Sequence, residues 1–85
     1  MANYKIEIKK SAEKEISKLP KLVIKRIIYK IETLSDDPRP KGCKKLSADE
    51  KYRIRVGVYR ILYSIEDEKL VIFIVKVAHR KKVYD

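Results

Sequence analysis

The sequence predicts an α+β fold in which a helical hairpin packs on one face of a mainly antiparallel sheet. Residues 4–9 alternate apolar and charged side chains, as a strand does, and residues 22–34 repeat apolar side chains at helical spacing. Residues 52–77 return to strand patterns. Because 85 residues are enough for one domain and not for two, we expect a single small domain, residues 1–85, with the order β-α-α-β-β-β.

Two helices are predicted after the first strand. Ser11 is the predicted N-cap of the first helix, and Pro20 ends that helix and can open the next. The second helix is predicted from Leu22 to Leu34, where apolar residues recur three or four positions apart. Residues 36–40, Asp-Asp-Pro-Arg-Pro, end it, because the residue before a proline avoids the helical region. Residues 41–47 are predicted to form a basic loop.

Residues 51–65, KYRIRVGVYRILYSI, predict a β-hairpin with two chemically different faces. Residues 57–58 fit a two-residue turn with glycine first, the type II′ preference. On one face this register pairs Val56 with Tyr59, Ile54 with Ile61, and Tyr52 with Tyr63. On the other face it sets Arg55 opposite Arg60, beside Arg53. Like charges directly opposite one another destabilise a sheet, so the arginine face indicates an anionic ligand.

The last strand is predicted from Leu70 to Val77, after a turn at residues 66–69. It is apolar at nearly every position, which is typical of an inner strand covered on both faces. The basic tail that follows Ala78 is predicted to leave the sheet.

The net charge of +10 indicates an anionic partner, namely nucleic acid, an acidic protein or an anionic membrane surface. The positive charge is concentrated, since residues 41–60 hold seven lysines and arginines against Asp49 and Glu50. Apolar residues make up 45% of the chain, which excludes a disordered chain even though 40% of the residues are charged.

The cysteine and histidine content excludes a zinc site, because Cys43 and His79 are the only residues of their types. A single cysteine also excludes an internal disulfide, which favours a reducing compartment. The longest apolar run, residues 70–75, is too short to span a bilayer, and the N-terminus carries no apolar secretory segment. We therefore expect a cytoplasmic protein that does not act in a membrane.

Three motifs together resemble the RelE/ParE superfamily of toxins, on the RelE side. They are DPRPKGCKKL at 37–46, YRIRVGVYRILYSIED at 52–67 and VKVAHRKKVY at 75–84. The resemblance covers almost the whole chain and implies the RelE-like microbial RNase-type fold. It also implies the toxin of a type II toxin–antitoxin system, held inactive by an acidic, RelB-like antitoxin that wraps around it.

The activity that the resemblance implies is endoribonucleolytic cleavage of mRNA in the ribosomal A site, without a metal ion or cofactor. The ribose 2′-OH attacks its own 3′-phosphate and leaves a 2′,3′-cyclic phosphate and a 5′-OH. Two alternatives remain at this point. One is a non-enzymatic inhibitor of DNA gyrase, as in the ParE branch, and the other is an RNA-binding member of the family that has lost activity.

The resemblance also carries over a set of catalytic positions. Arg53 and Arg55 fall where RelE-type enzymes place two basic residues, often lysines, on the first hairpin strand. Arg60 matches the arginine after the tyrosine of the next strand, Arg80 the arginine after the last strand, and Tyr84 the terminal tyrosine. The arginines at 53 and 55 depart from the lysines that many members carry.

The arginines suit the charge of the reaction. A phosphodiester transition state gathers negative charge on its non-bridging oxygens, and the planar guanidinium fork matches two oxygens at once. Arg60 and Arg80 are the candidates for this role, while Arg53 and Arg55 bind flanking phosphates or share it. The alternative is that the hairpin arginines form ion pairs with acidic residues of the same domain, for which Glu7, Glu66 and Asp67 are available.

Proton transfer requires a different group, because arginine stays protonated at any ordinary pH. Tyr84 is the first candidate, since neighbouring arginines would lower the pKa of its phenol. His79 is a further candidate because histidine titrates near neutrality, although in an extended strand His79 and Arg80 face opposite sides. The lysines expected to contact the RNA backbone, with a solvated surface as the alternative, are Lys44, Lys45, Lys51, Lys81 and Lys82.

Overall fold

The computed structural model describes residues 3–46 and 51–79 and confirms the α+β class. Two helices follow the first strand, and a short strand precedes the predicted hairpin. The elements are β1 Lys5–Ile8, α1 Lys10–Ser17, α2 Lys21–Asp36, β2 Lys44–Lys45, β3 Lys51–Val56, β4 Tyr59–Glu66 and β5 Val71–His79.

The strands form one sheet in the order β1-β5-β4-β3-β2. Only the pairing of β1 with β5 is parallel, so the sheet is mainly antiparallel as predicted. Strand β2 corrects the prediction of a loop at residues 41–47, because Lys44 and Lys45 pair with Arg53 and Tyr52 at the sheet edge. Two paired residues are too short for an alternating pattern to show in the sequence.

The helix ends differ slightly from the predicted ones. The N-cap of α1 is Lys9, with no side-chain cap hydrogen bond, and Ser11 lies inside the helix. The reason is that the Lys9 N–H still donates to Ile74 O as β1 ends, so the chain turns directly from strand into helix. Pro20 is the N-cap of α2, which runs two residues beyond the predicted end at Leu34.

The hairpin register agrees with the prediction at every pair. Val56 lies opposite Tyr59, Ile54 opposite Ile61, Tyr52 opposite Tyr63, and Arg55 opposite Arg60. Gly57 has a φ of +59° while Val58 is not left-handed, which fits a turn whose first central residue must be glycine.

The hydrophobic core lies between the helices and one face of the sheet. The fully buried members are Ala12, Ile16, Ile27, Ile31 and Leu34 from the helices and Ile54, Ile61, Tyr63, Ile72, Ile74 and Val77 from the sheet. The other face, here called the open face, carries no helix in the described part of the chain. The prediction that β5 is covered on both faces is therefore wrong, and Phe73 on the open face is 37% exposed.

A polar network ties the loop after α2 to the turn between β4 and β5. The Arg39 guanidinium donates to both carboxylate oxygens of Asp67, at 2.9 and 3.3 Å, and the Tyr4 hydroxyl donates to Asp67 Oδ1 at 2.7 Å. Arg39 also donates to the Tyr52 hydroxyl at 3.1 Å. The hydrogen bonds from Arg39 and Tyr4 lower the pKa of Asp67 below its ordinary value.

This lowered pKa predicts how Asp67 contributes to stability. The contribution is present above the ordinary carboxyl pKa and is lost as the pH falls through the lower pKa of the folded state, that is, below about 4. We expect Asp67→Asn to have a lower free energy of unfolding than the wild type near neutral pH, with the two converging in acid. Urea titrations at several pH values measure this. Glu68→Gln, in the same turn, is the control, and a constant difference across pH would contradict the prediction.

Candidate functional site

The hairpin arginines lie at one end of the open face, where cations occupy adjacent rows of the sheet. One row runs across four strands, from Lys44 through Arg53 and Leu62 to Lys76. The next row joins Arg55, Arg60 and Ala78. Residues diagonally opposite on neighbouring strands lie about 7–8 Å apart, so one ligand can contact both rows. We call Lys44, Arg53, Arg55, Arg60 and Lys76 the basic face.

The three arginines of the basic face differ in their burial. Arg53 is 5% exposed, Arg60 is half-buried and Arg55 is exposed. The Arg53 Nη1 and Arg60 Nε atoms are shielded from solvent. Charges interact more strongly where water is excluded, so Arg53 and Arg60 attract a nearby anion more strongly than exposed lysines do.

The carboxylates that could have neutralised the hairpin arginines form other ion pairs. Glu7 lies 3.9 Å from Lys5, Glu66 lies 3.8 Å from Lys69, and Asp67 lies 2.9 Å from Arg39. These contacts place the three acids at the opposite end of the open face or at the turn after β4. Each of the three acids therefore binds a cation outside the hairpin.

The lysines predicted to contact RNA separate into two groups. Lys44 and Lys51 share the open face with the arginines, because they stand opposite Arg53 and Ser64 respectively. Lys45 pairs with Tyr52 and points to the other side of the edge strand. Arg80, Lys81, Lys82 and Tyr84 lie outside the described residues.

His79 faces away from the arginines. It ends β5 opposite Tyr59, and the two rings make an edge contact with centroids 5.8 Å apart. Because Arg60 stands opposite Ala78, the adjacent Tyr59 and His79 point to the helix-covered face. There His79 lines a cavity with Glu15, Lys18 and Leu19. The geometry therefore separates His79 from the basic face.

The hairpin tyrosines also face the helices. Tyr63 is fully buried, its hydroxyl donates to Pro38 O at 2.8 Å, and its ring stacks on Tyr52 with centroids 5.9 Å apart. Burial raises the pKa of the Tyr63 phenol above its ordinary value. These rings hold the sheet and the loop together and are not placed to stack on bases.

No helix within residues 3–46 and 51–79 is long and apolar enough to cross a bilayer. Several known proteins that are similar to this chain are toxins. The family described as the ParE toxin of type II toxin–antitoxin systems matches residues 6–84. A protein of Methanocaldococcus jannaschii named for the toxin RelE is 34% identical over 95% of this chain and 94% of its own length. The chain belongs to the RelE/ParE superfamily of toxins.

Two further members of the superfamily show how far the likeness extends. The mRNA interferase toxin RelE of Escherichia coli is 28% identical over 93% of this chain and 85% of its own length. The archaeal RelE of Pyrococcus horikoshii, solved in complex with RelB, is 30% identical with a TM-score of 0.85. That likeness covers 95% of this chain and 99% of the other. The fold is therefore that of the RelE proteins.

One ion pair at the basic face of this RelE-like chain was not predicted from the sequence. Lys76 lies in the same row as Arg53 and forms an ion pair with Glu15 of α1, with Nζ and Oε2 3.1 Å apart. The two residues are 61 positions apart in the chain, and no motif connects them. The only sequence signal is a charged residue in the otherwise apolar run from Leu70 to Val77.

Proposed function

We propose that this RelE/ParE member is a toxin that cleaves mRNA in the ribosomal A site without a metal ion. The observation that carries the proposal is the like-charge pair Arg55–Arg60 beside the buried Arg53. Such a cluster costs stability unless an anion lies over it, and a phosphodiester is the anion that two guanidinium forks fit best. An E. coli relative of similar length is named an mRNA interferase.

In the proposed reaction, the ribose 2′-oxygen attacks the adjacent phosphorus and the bond to the 5′-oxygen breaks. Arg60 binds the non-bridging oxygens as negative charge grows on them, and Arg53 and Arg55 hold flanking phosphates or share that charge. The family resemblance adds Arg80 to the same role and Tyr84 to proton transfer. His79 has no part in this scheme, since it lies on the other face of the sheet.

We further propose that a RelB-like antitoxin binds this toxin in the cytoplasm. The P. horikoshii RelE was solved in complex with RelB. A net charge of +10 favours an acidic partner, and an acidic segment that folds on contact would cover the cations. Co-expression with a RelB-like antitoxin should raise the yield and the melting temperature of both proteins, and no change on mixing would count against this partner.

The proposed function is tested with purified protein added to translating ribosomes. Primer extension on the mRNA should reveal new 5′ ends at codons that occupy the A site. The same mRNA without ribosomes is the control for free nuclease activity. Translation that stops without any new 5′ end would contradict the proposal.

The match to the ParE toxin family motivates a second candidate, inhibition of DNA gyrase. A supercoiling assay with gyrase separates the two functions. Inhibited supercoiling together with intact mRNA would favour the ParE-like function. Salt-sensitive RNA binding without cleavage or gyrase inhibition would instead indicate an RNA-binding member that has lost activity. The arginines at 53 and 55 are the reason to consider this outcome, because many members carry lysines there.

A further inference from the structure

If the protein is a ribonuclease, the arginines of the basic face cannot supply the proton transfers that the reaction needs. A guanidinium can neutralise a phosphate, but it neither takes nor gives a proton at ordinary pH. Cleavage needs a group that accepts the 2′-OH proton and another that protonates the departing 5′-oxygen. A lysine ammonium and a carboxylate are capable of these two transfers, and the described part of the chain holds both together beside the arginines.

The pair consists of Lys76 and Glu15. Lys76 Nζ lies 3.1 Å from Glu15 Oε2, and the side chains are 42% and 31% exposed. The other carboxylate oxygen, Oε1, accepts the backbone N–H of Val77 at 3.0 Å. Strand β1 pairs with β5 only as far as Ile74, so Glu15 occupies the edge of β5 that β1 leaves uncovered. One oxygen thus anchors the carboxylate, and the other faces the ammonium.

The position of Lys76 brings this pair to the arginines. Lys76 stands opposite Leu62, and Leu62 stands opposite Arg53. Arg60 lies two residues before Leu62 on the same face, a diagonal neighbour of Lys76 at about 7–8 Å between backbones. Long side chains span that distance, so a phosphate held by Arg60 lies within reach of the Lys76 ammonium.

A cavity gives the substrate access to both groups. It has a volume of about 320 Å³, and Glu15, Lys51, Leu62 and Lys76 are among the residues that line it. Pockets of this size accept small ligands or a single nucleotide unit. The cavity therefore exposes the ion pair next to Leu62, which lies between Lys76 and Arg53 in the same row of the sheet.

We propose that Lys76 and Glu15, in place of the Tyr84 that the family resemblance suggests, are the acid–base pair of the ribonuclease reaction. This inference rests on the proposed function. Glu15 Oε2 takes the proton of the 2′-OH as the 2′-oxygen bonds to phosphorus. Lys76 Nζ gives a proton to the 5′-oxygen as the bond between phosphorus and that oxygen breaks. The neutral amine and the protonated carboxyl then exchange one proton across their hydrogen bond. This transfer restores the starting charges without any other reactant.

The test compares two RNA substrates in single-turnover cleavage on programmed ribosomes. One has a normal phosphodiester at the cleaved bond, and the other has sulfur in place of the 5′-oxygen, which leaves as a thiolate without needing a proton. Lys76→Arg keeps the charge and the ion pair but cannot give a proton. We expect it to slow cleavage of the normal RNA by about 10²–10⁴-fold and to cleave the sulfur-containing RNA at close to the wild-type rate.

Glu15→Gln and Lys69→Arg complete the test. Glu15→Gln keeps an oxygen for the Val77 N–H but cannot act as a base, so both substrates should be cleaved slowly. Lys69→Arg alters a similar lysine–glutamate pair, with Glu66, at the far end of the open face, and should cleave both substrates as the wild type does. Rescue of Lys76→Arg by sulfur also shows that this variant is folded.

Three results would overturn the assignment. They are a wild-type rate for Lys76→Arg on the normal RNA, equal slowing of that variant on both RNAs, and a wild-type rate for Glu15→Gln. These three results can be interpreted only if the wild type cleaves mRNA. If the wild type itself leaves the mRNA intact, the proposed function fails first, and the result is distinct from a failure of the pair.

Discussion

Replacing Arg60 by alanine is expected to slow mRNA cleavage on ribosomes by about 10²–10³-fold, the effect of removing one fixed donor from a developing oxyanion. Arg60 is half-buried and stands opposite Arg55. A phosphate bound over this cross-strand pair would contact both guanidinium groups. The effect should appear in the single-turnover rate at saturating ribosome concentration, because the contact strengthens as charge develops.

Two further variants show whether the geometry of the guanidinium matters. Arg60→Lys keeps the charge but loses the planar fork, and should recover only part of the rate. Arg26→Ala removes one exposed cation from α2, away from the basic face, and should cleave like the wild type. Equal losses for Arg60→Ala and Arg26→Ala would mean that net charge alone supports activity. A thermal melt of each variant shows that it is folded.

Replacing Ile61 by alanine is expected to reduce the free energy of unfolding by about 2–5 kcal/mol. Ile61 is fully buried between Ile54 of β3 and Val77 of β5, where the central strand meets the helices. A cavity there has several rigid walls and cannot close easily. Domains of this size have a total stability of about 5–15 kcal/mol, so the variant would be close to unfolding at ordinary temperature.

Urea denaturation followed by circular dichroism measures this loss. Val58→Ala is the matched control, since it removes two methyl groups from a turn residue that is 45% exposed. We expect the control to change the free energy of unfolding by less than about 0.5 kcal/mol. If Ile61→Ala were no more destabilising than Val58→Ala, the described core would be wrong.

The hairpin shows what the sequence could predict. Alternation of apolar and charged residues allows only one register in which every apolar pair faces the core, and glycine at 57 fixes the turn. The cross-strand pair of Arg55 and Arg60 follows from that register alone. The class of fold and the clustering of the arginines were therefore predictable without any tertiary information.

Strand β5 shows why the rest could not be predicted. By strict alternation Lys76 would share the helix-covered face with Ile72 and Ile74, but an irregularity in the pairing changes the register at this point. Tyr63 pairs with Ile74 and Leu62 with Lys76, so one extra residue, Val75, turns Lys76 to the open face. Nothing in an apolar run shows where such a bulge falls. The contact of Lys76 with Glu15 depends on the bulge.

Strand β2, the start of α1 and the exposed face of the sheet could not be predicted for related reasons. Strand β2 has only two paired residues, and the N-cap of α1 is fixed by a backbone bond from Lys9 to Ile74 and not by a capping side chain. An apolar strand also gives no sign of which face the helices cover. Phe73 is exposed because both helices pack on the other side.

We propose that the basic face holds an mRNA phosphate while the 2′-OH of the ribose attached to that phosphate attacks it. The most direct measurement is the chemistry of the new ends that the wild-type protein makes on programmed ribosomes, after the protein alone has been dialysed against a chelator. We expect a 2′,3′-cyclic phosphate on the upstream fragment and a 5′-OH on the downstream fragment, both formed about 10²–10³-fold more slowly by Arg60→Ala. A 5′-phosphate on the downstream fragment, or ends that form equally with Arg60→Ala, would contradict it.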